Sequence, residues 1–343
     1  MDQIRRMVGN LNQLQAARRI EFRDGVSKGV RAIELRNRCG LYVTCIEDQC
    51  LNLYDFSYRG INFSFQSKNG LVSNQFFNGG SGEFPYYWPA GMLYTCGLTN
   101  TGASVTENGT YYPEHGRIGM MPAENVSIRQ TETAIEISGQ VFERMIAGHQ
   151  LRLNRTITLP LDGKEVKIRD QVTNLEGIPT EIMLLYHCNF GYPLLTPSSR
   201  LVMRSGPMID QIAGGDIPPD YRNMESPRDD KREEVYCHTA VPDQQGYEYA
   251  GILNDDMELG GYVRYTAETL PYMIYWKNMC AHDYCVGLEP SISFSKGRKE
   301  ERENGTLPVL APYETREFEL IIGVLDGKEE MHAFEELCKF PQK

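Results

Sequence analysis

The sequence predicts a mainly β protein, a large antiparallel β-sandwich with a short helix at either end, on three observations. Apolar and polar residues alternate over many short runs, as in half-buried strands. Long connections separate the runs, which suits strands crossing between layers better than a doubly wound fold. Helical spacing of apolar residues appears at the two chain ends. With 343 residues, 41% hydrophobic and 24% charged, the chain can bury a sizeable core.

At the start, Ile4, Met7, Val8, Leu11 and Leu14 recur at helical spacing, so residues 1–22 are expected to form an amphipathic helical brace. From Gly29 the period changes to two, with Ile33 and Leu35, then Leu41, Val43 and Cys45, then Ile61, Phe63 and Phe65. Between Asn74 and Tyr112 the alternation lapses into a stretch rich in Gly, Asn, Thr and aromatics, read as a long loop region. Loops of that length inside a compact unit usually line a functional cleft.

Strand signals return at 126–128, 134–137 and 151–159. They continue through Val166, Ile168 and Val172 after an Asp162-Gly163 hairpin turn. The Pro-rich, charged stretch from Asp216 to Glu234 reads as a surface excursion, because strand patterns lie on both sides of it. Later strands are expected at 247–252, 261–265, 272–276, 284–288 and 318–324, and a closing helix at Glu329–Phe340. One domain over 1–343 follows, with the β-structure at about 30–325 and the C-terminal helix and tail at 327–343.

Composition narrows the function. Acidic residues number 46 against 35 basic, a net charge of −11, which repels polyphosphate and argues against nucleic acid as a partner. The N-terminus lacks the apolar core of a secretory signal, and no apolar run approaches the roughly 18 residues of a membrane span. The expectation is a soluble, cytoplasmic protein with a small-molecule partner and no membrane partner; assembly with copies of itself is left open. The nine cysteines are odd in number and include no Cys-x-x-Cys pair, which fits reduced core thiols.

Three polar positions stand out. His115 lies in Pro113-Glu114-His115-Gly116-Arg117, where flanking glycine lets backbone approach a ligand; the alternative is a solvated turn histidine. His187 follows an apolar run in Leu184-Leu185-Tyr186-His187-Cys188-Asn189-Phe190, with Asn189 two residues on and so on the same face. Polar groups there need partners or a ligand, and a satisfied core histidine is the competing explanation. Glu289 ends a buried-looking strand before Pro290-Ser291, and could instead be a surface acid. Two imidazoles and a carboxylate facing a polyol would suit general acid and base chemistry on a sugar.

Further candidates are Arg117, as a hydroxyl or anion contact or a structural ion pair, and Trp276, for stacking on a sugar ring beside Lys277. Thr95 and Asn100 flank the loop-rich region and are candidates to bind hydroxyls. His149 and His282 read as structural or solvated, and Asp283 beside His282 has no activated Ser or Cys to complete a hydrolytic triad.

These motifs resemble those of aldose 1-epimerases, the galactose mutarotases. His115-Gly116 is similar to their Leu-His-Gly, Tyr186-His187-Cys188-Asn189-Phe190 to their Asn-His-Ser-Tyr-Phe-Asn, and Leu288-Glu289-Pro290-Ser291 to their late Glu-Thr/Pro-Gln segment, in the same order. The stretch from Pro89 to Leu98 resembles a divergent branch described as a domain of unknown function. The resemblance covers about 30–325. It implies a galactose mutarotase-like β-supersandwich and interconversion of the α and β anomers of a monosaccharide or sugar derivative, with no cofactor or metal. By the same resemblance Glu289 would take the proton from the C1 hydroxyl, His187 would protonate the ring oxygen, and His115 would hydrogen-bond that oxygen. Tyr186 stands where the family has Asn, and Ser291 where it has Gln. The rival expectations are a non-catalytic sugar-binding protein using the same cleft, and a metalloenzyme with His115, His187 and Glu289 as ligands.

Overall fold

The computed structural model describes residues 6–206, 208–213 and 217–339. Two large antiparallel sheets carry the architecture. The larger, of eleven strands among the described residues, runs in space through Ala16–Glu21, Arg31–Arg36, Leu41–Ile46, Asn52–Tyr58, Leu93–Leu98, Met183–Phe190, Cys285–Ser291, Tyr272–Asn278, Glu234–Thr239 and Met208–Ala213, with Ile61–Asn62 paired beside Asn52–Tyr58. The second, of eight strands, runs through Arg200–Met203, Tyr247–Asn254, Leu259–Thr266, Thr315–Asp326, Glu165–Asn174, Gln150–Pro160, Ala134–Arg144 and Glu124–Gln130. In this second sheet the alternation is regular: Gln150–Pro160 buries every second residue, Leu151, Leu153, Arg155, Ile157 and Leu159.

The core fills the space between the sheets. Leu184, Tyr186, Cys188 and Phe190 from the larger sheet meet Leu153, Ile157, Ile168, Val172 and Ile322 from the smaller. One buried polar cluster crosses this apolar layer. Arg155 donates to Asp170 through Nε at 2.9 Å and Nη2 at 2.6 Å, and through Nη1 to the Cys50 carbonyl at 2.9 Å. The Tyr186 hydroxyl donates to Asp170 Oδ2 at 2.7 Å. The Arg155 and Asp170 side chains are fully buried. Their charges are tolerable there because each is paired and hydrogen-bonded.

The larger sheet is covered on both faces near its centre, which explains two departures from the sequence reading. Leu93–Leu98 lies inside the stretch expected to be loop, yet it is a central strand in which every residue is buried. Burial on both faces removes the period-two signal that identifies a strand. The same stretch also holds a short helix, Phe84–Tyr87, and a hairpin of Val105–Glu107 with Thr110–Tyr112.

The N-terminal expectation is corrected. Ala16–Glu21 is an edge strand paired with Arg31–Arg36, preceded by a 3-10 turn at Leu11–Gln13, and Met7 is exposed. Ile4 lies outside the described residues. Arg6 and Met7 are helical, but the apolar positions beyond them are too few to carry a helix to residue 22, whereas the strand satisfies its backbone on an open sheet edge. The C-terminal expectation holds: Lys328–Cys338 is a helix whose Met331, Phe334 and Cys338 pack on Tyr249, Leu253 and Leu325. Phe340, the expected end of that helix, and Asp216, the expected start of the charged excursion, lie outside the described residues; 217–233 contains no strand or helix.

The polar cluster gives a test of the fold. Asp170→Ala leaves the Arg155 guanidinium buried without its counter-charge and should cost about 3–5 kcal/mol. Tyr186→Phe removes one hydrogen bond to a charged group and should cost roughly 1.5–3 kcal/mol. Urea unfolding measures both, and a loss near zero for Asp170→Ala would contradict this role for the cluster.

Candidate active site

The strand Met183–Phe190 turns successive side chains to opposite faces of the larger sheet. With Tyr186 directed into the sandwich core, His187 is directed to the other face, alongside Leu185. The neighbouring strand Cys285–Ser291 pairs antiparallel, Leu185 opposite Ser291 and Cys188 opposite Leu288. That register sets His187 opposite Glu289. The ladder is interrupted beside them, where Pro290 has no N–H to donate. Residues 102 positions apart in sequence thereby become a cross-strand pair, with His187 Nδ1 and Glu289 Oε1 3.2 Å apart.

This contact is close but poorly directed for a hydrogen bond, and both atoms are buried without a hydrogen-bond partner. Elsewhere the chain does not leave a buried histidine so. His238 has one ring nitrogen 3.1 Å from the Gly206 carbonyl and the other 3.3 Å from the Tyr221 hydroxyl. Other buried side-chain polar atoms of the described residues also lack a partner, but these two belong to residues that line one cavity, where a ligand's hydroxyl groups can complete them. Gly287 makes the room: a Cβ there would stand 2.3 Å from Glu289 Oε1 and 3.2 Å from His187 Cε1.

His115 comes from a loop that is fixed by its backbone. Its N–H donates to the Gly102 carbonyl at 3.0 Å, its carbonyl accepts from Gly97 N–H at 2.9 Å, and its φ is +55°. The following Gly116 has φ +75°, and a Cβ there would lie 2.1 Å from the Gly97 carbonyl oxygen, so only glycine fits. The His115 and His187 rings lie 5.9 Å apart, centroid to centroid. Gly102 N–H points to His115 Nδ1 at 3.5 Å, which favours the tautomer protonated on Nε2.

Aromatic rings enclose the group. The Trp88 and Trp276 rings lie 5.1 Å and 5.2 Å from that of His187, and Phe84 stacks on Trp88 and lies 4.9 Å from His115. Together these residues line a cavity of about 670 Å³, within the roughly 300–1,000 Å³ of small-ligand sites. Burial sets the protonation. It raises the Glu289 carboxyl well above its ordinary range, helped by the charge of Glu233, and lowers His187 well below its own, helped by His115. His115 is lowered by burial to about 4. Burial thus favours the neutral forms of the carboxyl and of both imidazoles.

The structure brings His115, His187, Glu289 and Trp276 to one cavity, and it places the other expected contacts elsewhere. Thr95 faces the opposite side of its strand and is occupied with Asn52, its hydroxyl donating to Oδ1 at 2.8 Å. Asn100 is buried and structural: its amide donates to the Ala103 and Pro113 carbonyls, and its Oδ1 accepts from Arg298 N–H. Lys277, one residue past Trp276, points to the other face and pairs with Glu225 at 2.9 Å. Asn189 donates to the Gly91 and His187 carbonyls and does not line the cavity. Arg117 lies beside Gly79, its guanidinium 5.9 Å from the Phe77 ring centroid, and is also absent from the lining.

The lining includes groups the sequence did not single out, among them Trp88, Glu114, Glu233, Ser295 and Lys296. All come from irregular segments without periodicity, Glu114 from the turn that also holds His115. Among the described residues, no three His, Cys, Asp or Glu side chains are gathered so as to hold a metal ion. No helix of the described residues is long and apolar enough to cross a membrane.

Known structures share this architecture. A candidate aldose 1-epimerase from Klebsiella pneumoniae subsp. pneumoniae MGH 78578 superposes with a TM-score of 0.86 at 22% identity, covering 96% of this chain and 90% of its own. A galactose mutarotase-like protein from Clostridium acetobutylicum gives 0.64 at 14% identity over 92% of this chain and 100% of its own. Galactose 1-epimerase from Lactobacillus acidophilus NCFM gives 0.60 at 10% identity over 91% and 99%. At such identities the likeness establishes the galactose mutarotase-like β-sandwich fold. No curated protein matches the chain. The family model described as a domain of unknown function, DUF4432, matches residues 27–324, most of the sequence, and the chain belongs to that family.

Proposed function

We propose that the protein is an aldose 1-epimerase-like isomerase, which opens and recloses the ring of a free aldose and so interconverts its anomers. The observation that carries this reading is the His187–Glu289 pair, 3.2 Å apart with unpartnered atoms at the base of an aromatic-walled cavity. Ring opening removes the proton of the C1 hydroxyl, adds one to the ring oxygen and breaks the bond from C1 to that oxygen. Rotation about C1–C2 in the open aldehyde exposes the other carbonyl face, and the reverse transfers close the other anomer.

A donor and an acceptor within one coupled pair suit that reaction, because the pair's proton count is the same before and after opening. In the working tautomer Glu289 is the carboxylate that accepts the C1 hydroxyl proton, and His187 is the imidazolium that donates to the ring oxygen. The resting tautomer places the proton on Glu289. The two differ by one transfer across the 3.2 Å gap, and sugar hydroxyls at the pair's other atoms, His187 Nε2 and Glu289 Oε2, supply the hydrogen bonds that favour the charged form. His115, with its proton on Nε2, donates a hydrogen bond to the ring oxygen.

The pH dependence follows. The pair holds one proton between the lowered value of His187 and the raised value of Glu289, so kcat/KM is expected to be flat through neutrality. It should fall on the acid side as the imidazoles take up protons, His115 at about 4, and on the alkaline side as Glu289 ionises. Polarimetry of aldose equilibration measures this, and a limb near the ordinary histidine value of about 6.5 would contradict it.

Glu289→Gln should lower the rate by about 10²–10⁴-fold, the usual range for one acid-base group. The same change should stabilise the fold above the ordinary carboxylate range. A folded-state value raised above the unfolded one means that stability is lost as pH rises toward the folded value, and the amide escapes that loss. Thermal melts of the two proteins at several pH values check the sign. Gly287→Ala should displace the Glu289 carboxyl and lower kcat while the urea midpoint changes little; full activity would contradict the tight placement read from the site.

A further inference from the structure

Glu114 and Glu233 both line the cavity, and among the described residues neither is ion-paired with a Lys, Arg or His. One oxygen of Glu233 accepts the Trp276 indole N–H at 2.8 Å, which ties the carboxylate to an aromatic wall. Glu114 is raised above its ordinary range by burial and then by the charge of Glu233. Of the basic residues, Lys296 lines the cavity, with its ammonium 3.2 Å from Glu300. The cavity surface is thus acidic beside the faces of Trp88, Trp276 and Phe84. Carboxylates flanking indole rings are the groups that recognise an ammonium ion, through ion pairing and attraction to the ring faces.

A second, independent feature points to a ligand. Ser295 also lines the cavity, is 8% exposed, and its hydroxyl has no hydrogen-bond partner. A buried hydroxyl of this kind calls for a polar group from outside the chain.

From this geometry we infer that the cavity selects an amino-substituted aldose, with the substrate's ammonium received between Glu114 and Glu233 against the indole rings and a sugar hydroxyl on Ser295. This deepens the ring-opening reading, on which its placement of the sugar ring rests. Phosphorylated or carboxylated sugars would bring a second negative charge against the same acids and are disfavoured.

Trp88 and Trp276 are the two tryptophans of the chain, so its intrinsic fluorescence reports on this cavity. The full chain is titrated at low salt, at a pH where the amine is charged, with glucosamine, N-acetylglucosamine, glucose and glucose 6-phosphate. Glucosamine is expected to bind about tenfold more tightly than glucose or the N-acetyl sugar, and glucose 6-phosphate most weakly. In Glu114→Gln/Glu233→Gln the ratio of glucosamine to glucose should fall toward one. Glu233→Gln alone, at an exposed residue, should lower it in part should the double variant fold poorly. Equal or reversed affinities in the parent chain, or an unchanged ratio in folded variants, overturn the inference. Amine preference without anomer exchange of any sugar would sink the ring-opening reading and leave this one standing; exchange without amine preference does the reverse.

Discussion

The contact of Tyr186 with Asp170 fixes the direction of everything on the other face of the strand. Asp170 belongs to the opposite sheet, where Arg155 on the neighbouring strand holds it, so the Tyr186 hydroxyl is anchored in the sandwich core at 2.7 Å. A strand cannot turn two successive side chains to one face. Anchoring Tyr186 inward therefore commits His187 outward, and the pairing of Cys188 with Leu288 then brings Glu289 opposite it. A slip of one residue would reverse every side chain and bury the histidine in the apolar layer. The tyrosine that replaces the asparagine of the resembling motif is thus a register pin as well as a neighbour of the candidate site.

The same rigidity carries an energetic cost at the site. Holding a carboxyl and an imidazole dry, 3.2 Å apart and without hydrogen bonds, opposes stability. The surrounding packing tolerates this because the loop of His115 and the strand of Glu289 are each over-determined: Gly116 and Gly287 leave no space for a side chain, and backbone bonds fix residues 97, 102 and 115 to one another. Unsatisfied groups of this kind are found where a ligand completes them. Desolvation also favours a single proton shared by the pair, the state that the proposed proton exchange with a sugar requires.

Much of this was legible in the sequence where one face of an element meets water. The alternation of 150–160 and the spacing of 328–338 survive because one side of each is polar. His115, His187 and Glu289 were legible because each interrupts an apolar or glycine-rich context. Leu93–Leu98 was not, since burial on both faces leaves no period to read. Thr95 and Lys277 show the related failure: each adjoins a residue that does face the cavity side, Tyr94 or Trp276, and strand parity sends it the other way. Trp88, Glu233 and Ser295 reach the cavity from irregular backbone, where spacing carries no information about direction.

The central claim is that His187 and Glu289 pass a proton around a sugar ring, and two-dimensional exchange NMR between the anomeric resonances of an aldose tests it most directly. A catalytic quantity of the protein should bring up cross-peaks between the α and β signals at neutral pH, with intensity proportional to protein concentration. A panel of aldoses, amino sugars included, whose anomers exchange no faster with the protein than without it would contradict the account.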